Sequence, residues 1–164
     1  MATVVTHRQV AQAVVAAAYH GAALNALTRY TQGPERWSGI DHHVHYPRVP
    51  PAADCSAWAS WLFWDARIRR RGHAGTDLLN GLGWQAGNTD TMIIHGRRHR
   101  GGVEWWFAGR TLLFYGGPKN GSDPEHVAVW VGNGLVATHG RDAGPEIRGW
   151  KYRLDFVQAR AYAI

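Results

Sequence analysis

Among 164 residues the chain has one thiol, Cys55, and ten imidazoles. A single cysteine excludes an internal disulfide, and lone cysteines are more often inert and buried than nucleophilic. The position of this one argues the other way. Asp54 is a helix-capping residue type, and Trp58, Trp61, Leu62, Asp65 and Ile68 follow at three- and four-residue steps. Cys55 therefore falls in the first turn of a helix, where unpaired N–H groups favour a thiolate and predict a lowered thiol pKa. The base would come from His126 and His139, which bracket two strand-like runs around a Gly/Asn turn. With Gly132-Asn133 as a two-residue turn, Val131 faces Gly134 and His126 lies directly opposite His139, on the same face. Cβ atoms of opposed residues lie about 4.5–5.5 Å apart, so one ring can orient the other. Nucleophile, base and orienter then follow in chain order as Cys55, His126 and His139. Either histidine alone would read as an ordinary strand-end residue.

The elements that must hold these groups are legible in outline. Thr6 to Gln9 is a capping box, and Val10, Val14, Ala17, Gly21 and Leu24 continue at helical spacing, which predicts a helix over about 7–28. Residues 31–53 carry four Pro and three His and read as an irregular ordered loop. The Cys55 helix ends at Gly72 after the cations of Arg67 to Arg71, which suit a helix C-terminus. Residues 72–109 are Gly-rich with little period, apart from a short helix near 76–81. Strands follow at 111–115, 126–131, 135–138 and 152–162. Helices first and an antiparallel sheet afterwards give an α+β domain, read as one unit over 1–164. A thiol facing His126 requires the Cys55 helix to pack across the sheet, a step the family resemblance given below implies, with the loop 30–53 and the stretch 95–106 then as groove walls.

Composition narrows the classes. Hydrophobic residues at 45% and charged residues at 18% mark a globular chain, not a disordered one. Nine Trp are more than a core usually takes, so most are expected inside and a few along a groove. The net charge of +6 favours an anionic partner. No run approaches the roughly 20 apolar residues of a membrane helix. The Ala/Val-rich N-terminus is interrupted by His7, Arg8 and Gln9, and reads as a helix of the fold with no signal peptide. A zinc hydrolase built on His42, His43, His45, His95 and His99 is a weaker alternative, because no metal-binding spacing occurs on a clear helix. A nucleic-acid binder built on Arg67 to Arg71 and Arg97 to Arg100 is weaker still, since no nucleic-acid motif is present. No metal and no cofactor are expected.

Asp54-Cys55-Ser56 and the run His126-Val-Ala-Val-Trp-Val-Gly-Asn-Gly134 together resemble the NlpC/P60 family of papain-like cell-wall cysteine peptidases. The likeness is best to its actinobacterial and actinophage, endolysin-like branch. Tyr30 to Trp37, Gly81 to Gly87, Leu113 to Gly117 and Thr138-His-Gly140 extend it over about 25–162. The resemblance implies a core of N-terminal helices on an antiparallel sheet, with Cys55 as nucleophile, His126 as general base and His139 as the third polar residue. It also implies an oxyanion-binding tyrosine at Tyr30, with Tyr46 as the rival. Asp54 and Ser56 would hold the helix start and the substrate's free amino group. The implied activity is an endopeptidase on peptidoglycan stem peptides, or an N-acetylmuramoyl-L-alanine amidase using the same site. The protein would be a monomer whose partner is anionic wall, made in the cytoplasm and acting on the wall, or a domain of a larger secreted protein. Three positions depart from the family pattern: Ala57 stands where Gly is common, the Tyr30–Cys55 segment is long, and Arg110-Thr111 replaces an acidic lead into its strand.

Overall fold

A computed structural model describes residues 5–117, 124–140 and 144–164. Part of the N-terminal stretch read above as carrying no signal peptide, residues 1–4, lies outside them. The first helix, α1, covers His7–Ala23, with Thr6 and Gln9 forming the capping box in both directions. It ends five residues earlier than the periodicity suggested, and a 3-10 turn at Asn25–Leu27 takes up the remainder. Strand β1 (Arg29–Tyr30) pairs in parallel with β2 (Ala52–Ala53), and the short helix α2 (Ser38–Asp41) lies between them. Helix α3 covers Cys55–Arg71; Asp54 caps its start and Gly72, at φ 80°, ends it in the left-handed region that glycine tolerates.

No helix forms at 76–81. Asp77 instead accepts the N–H groups of Leu79 and Asn80, a local turn that competes with helix. The helix of this region is α4 (Thr89–His95), capped by Asn88, whose side chain accepts from Asp90 and Thr91. The remaining strands are β3 (Arg97–Arg98), β4 (Thr111–Tyr115), β5 (His126–Gly132), β6 (Leu135–His139), β7 (Pro145–Gly149) and β8 (Phe156–Ala161). They form one sheet in the order β3-β8-β4-β5-β6-β7, antiparallel throughout. The edge strands β3 and β7 escape sequence reading because two arginines and a Pro-Glu-Ile-Arg-Gly run show no apolar alternation. The architecture is the α+β arrangement expected, with helices packed on one face of an antiparallel sheet.

That inner face carries Leu112, Phe114, Val127, Val129, Val131 and Ala137, buried with α1 and α3. The two helices approach closely at Gly21. A Cβ there would meet the Trp58 ring at 2.2 Å, and that ring is itself stacked on Trp61. The outer face is an aromatic layer in which Leu113, Tyr115, Ala128, Trp130 and Val136 pack under Trp106, Trp150, Tyr152 and Phe156. Six of the nine Trp are buried and only Trp105 is largely exposed, so tryptophan serves packing first.

Candidate active site

Cys55 is the first residue of α3, beside the Asp54 cap. Asp54 Oδ1 accepts from the Ala57 N–H at 2.7 Å and from the Ser56 hydroxyl at 2.8 Å. Its other oxygen receives Arg36 Nη1, also at 2.7 Å. Asp54 and Ser56 are thus held together inside the protein at 5% and 2% exposure. Sequence reasoning gave no sign of Arg36, which reaches Asp54 from a 3-10 turn (Pro34–Trp37) and lies over the Trp37 ring. An ion pair between residues 18 apart leaves no local pattern.

The Cys55 side chain lies against the backbone of Val127, so α3 meets β5 next to His126. It is 7% exposed. Burial pushes the thiol up to about 12, the Asp54 carboxylate pushes the same way, and hydrogen bonding to the backbone of Val127 and Ser56 opposes both. The lowered pKa expected from the helix start is therefore not what the site has: desolvation of the charged form outweighs the aligned N–H groups. His126 is pushed down to about 4, by burial and then by the Arg153 cation. At neutral pH the thiol and the imidazole are therefore both neutral.

The hairpin that carries His126 differs from the expected register. Its turn is Asn133-Gly134, both at positive φ (54° and 77°), as a tight hairpin turn of this kind requires. Gly132 pairs with Leu135 and Trp130 with Val136, so Val131 is an extra, bulged residue. Ala128 then pairs with Thr138. A one-residue slip exchanges the faces of a strand, so His126 and His139 lie on opposite sides of the sheet and His139 does not orient His126. Thr138 takes that position: its Oγ1 lies 2.6 Å from His126 Nε2 and 3.1 Å from the Tyr152 hydroxyl. The rings of Tyr115 and Tyr152 flank the imidazole edge-on or tilted, at 6.1 and 6.4 Å. With Nε2–H donating to Thr138, Nδ1 is left free to accept a proton.

His139 is fully buried on the inner face, between Tyr30 and Trp58. The backbones of Arg29, Gly144 and Ala53 lie near enough to favour a charged ring, yet neither nitrogen has a hydrogen bond of good geometry among the described residues. Burial prevails and lowers its pKa. Thr138 stood in the motif Thr138-His-Gly140 from the start; the bulge alone decides which of its residues faces His126.

His126, Thr138 and Tyr152 open onto a cavity of about 640 Å³, which Tyr30, Gln32, Glu125, Gly140, Glu146 and Arg153 also line. Of the two tyrosines considered for an oxyanion, Tyr30 is at this cavity. Tyr46 is not: its N–H donates to Asp65 and its ring lies under Arg69. Asp65 is ten residues along α3 from Cys55, about 15 Å at 1.5 Å per residue. No residue of 95–106 lines the cavity, so that stretch is not a wall of it. The histidines considered for zinc do not converge. His45 bonds Asp65, His95 its own helix at Thr91 and His99 the Thr111 hydroxyl. Among the described residues no three His, Cys, Asp or Glu side chains come together as metal ligands would. No helix there is long and apolar enough to cross a membrane.

Neither a family model nor a curated protein matches this sequence. Solved structures do. NlpC2 from Trichomonas vaginalis superposes at a TM-score of 0.61 and 14% identity, over 96% of this chain and 49% of that one. The NlpC/p60 domain of the peptidoglycan hydrolase SagA gives 0.57 and 20%, over 92% and 97%. The peptidoglycan hydrolase RipB from Mycobacterium tuberculosis gives 0.54 and 18%, over 94% and 67%. The chain spans about half the length of the Trichomonas protein and nearly all of the SagA domain. At such low identities the likeness is one of architecture, and the architecture is the papain-like NlpC/P60 fold.

Proposed function

We propose that this chain is a cysteine peptidase that cuts peptide bonds in the stem peptides of bacterial peptidoglycan. Cys55 is the nucleophile, His126 the base and Thr138 the residue that holds the ring. The reading is carried by the start of α3 lying against Val127, the residue after His126 in β5, together with the His126 Nε2 that Thr138 holds at 2.6 Å beside an open cavity. The SagA and RipB hydrolases among the fold's relatives support the substrate class. In the reaction Cys55 gives its proton to His126 Nδ1 as sulfur attacks the carbonyl carbon. Backbone N–H groups at the start of α3 and the Tyr30 hydroxyl stabilise the oxyanion. The imidazolium then protonates the leaving amine, and water releases the acyl group from the thioester. A neutral thiol is acceptable here because proton transfer and attack occur together, without a standing thiolate.

An amidase cleaving between sugar and peptide would use the same groups. The endopeptidase reading is preferred for the peptide-sized cavity lined by Glu125, Glu146 and Arg153, which suits a charged stem peptide. An endolysin-like role, as a monomer made in the cytoplasm and acting on the wall, belongs to the same reading. The test is mass spectrometry of the muropeptides released from purified wall by the protein and by Cys55→Ala. New amino termini within stem peptides, absent with the variant, are expected. Release of intact stems from the glycan would assign the amidase instead, and equal release by the folded variant would end the cysteine mechanism.

A further inference from the structure

A second, larger cavity of about 980 Å³ lies at the β3 edge of the sheet, lined by Arg97, Arg98, His99, Arg100, Gly101 and Trp105. The catalytic reading makes no use of it. From Arg98 to His126 the path crosses three strand spacings and three residues of β4, so roughly 18 Å separates the two sites. Arg97, Arg98 and Arg100 are exposed, and among the described residues none has an ion-pair partner. Arg98 also stands directly opposite Arg160 on β8. Like charges in that relation destabilise a sheet; Arg160 donates to the Gly96 carbonyl and to Gln158, while Arg98 faces the cavity. The acid of the loop, Glu104, is turned back onto the Gly102 N–H.

Trp105 supplies the apolar element. A Cβ on Gly101 would lie 2.2 Å from its indole, so the pyrrole side of the ring packs close to Gly101. The residue is still 61% exposed, which leaves much of the ring to solvent. Guanidinium forks match phosphate oxygens in pairs, and an exposed indole accepts the apolar side of one sugar or polyol unit. Among the described residues the lining of this cavity holds one tryptophan and no second Phe, Tyr or Trp, where a nucleic-acid strand would stack its bases on successive aromatics. A smaller cavity sharing Arg98, His99 and Gly101 continues along the outer face to Phe156, toward Tyr152 and the active site.

We propose that the Arg97–Arg98–Arg100–Trp105 groove is a second binding site for a phosphate-bearing carbohydrate polymer of the wall, which holds the protein on its substrate. The proposal rests on the wall-hydrolase reading but fails separately from it. The assay is co-sedimentation of Cys55→Ala protein with purified walls, either intact or stripped of their phosphate polymer, across a salt series. Binding to intact walls is expected to be at least tenfold tighter. In the same background, Arg97→Ser/Arg98→Ser/Arg100→Ser should bind both walls alike, with a log–log salt slope smaller by about 2–3, near one per lost phosphate contact. Trp105→Ala should weaken binding without changing that slope. With Cys55 intact, the triple-serine variant should cut a soluble stem peptide at the parental rate. Equal binding of parent and triple variant to intact walls would overturn the proposal. So would displacement by duplex DNA or RNA at lower phosphate concentration than by the soluble polymer, which would make the groove a nucleic-acid site. Selective binding without any cutting by the parent would remove the hydrolase reading and leave the groove standing.

Discussion

Thr138→Val separates the arrangement found here from one in which His139 orients His126. Valine has nearly the shape of threonine, and residue 138 is 2% exposed in a packed sheet, so the change removes a hydroxyl and little else. Two contacts go with it, to His126 Nε2 at 2.6 Å and to the Tyr152 hydroxyl at 3.1 Å. A neutral hydrogen bond contributes about 0.5–1.5 kcal/mol net, and a buried polar group left unpaired costs about 1–3 kcal/mol. The Tyr115 and Tyr152 rings still confine the imidazole, so it turns without leaving. A loss of about 1.4–2.8 kcal/mol in transition-state stabilisation is therefore expected, or roughly 10- to 100-fold in kcat/KM at 1.36 kcal/mol per tenfold. Because only the ring's orientation is lost, the fall should lie in kcat, with KM little changed. Thr138→Ser, which keeps the hydroxyl, should recover activity to within a few-fold. The assay is the initial rate of stem-peptide cleavage, followed chromatographically, with thermal unfolding recorded on the same samples. Parental kcat in a folded Thr138→Val protein would refute the assignment of Thr138 as the orienting residue.

His139→Phe should leave kcat/KM within a few-fold of parent and the unfolding midpoint unchanged or raised, since an apolar ring replaces a buried one lacking good hydrogen bonds; a loss of 100-fold at intact fold would return the orienting role to it. As His126 acts as a base only when neutral and its pKa lies near 4, kcat/KM should stay level from pH 8 to 5 and fall tenfold per unit below about 4, whereas an acid limb near 6.5 would contradict the buried ring. The same shift carries a stability term with a fixed sign. Between about 6.5 and 4 the unfolded chain binds a proton at this ring that the folded chain does not, so denaturant midpoints should drop as pH falls through that window and drop less in His126→Gln. Gly21→Ala should cost about 1–3 kcal/mol, read as a lower unfolding midpoint, because its Cβ meets a Trp58 ring that the stack on Trp61 prevents from moving; an unchanged midpoint would show that α1 and α3 can shift apart without penalty.

Much of the fold is written locally. The Thr6 capping box, the Asp54 cap and the Gly72 stop are short-range signals, and both long helices begin where those residues put them. The strands of the sheet's centre declare themselves through apolar and aromatic runs, whereas β3 and β7 owe their strand form to a partner already in place. Helix α4 was missed although Asn88 and Thr91 spell a capping box, because a Gly-rich context hid it.

For the site, the sequence determined the nucleophile's place at a helix start and the strand on which its base stands. Which side chain meets His126 was decided by one bulged residue, Val131, since strand faces alternate with period two and the bulge changes the parity of everything beyond it. The charge state of Cys55 was likewise beyond local reading: the helix start pulls the thiol pKa down, but the depth of burial pushes it up, and burial is a property of the whole packed molecule. Arg36 on Asp54 and the opposed Arg98 and Arg160 belong to the same class. They are contacts between residues far apart in the chain, and only tertiary structure brings such charges within reach.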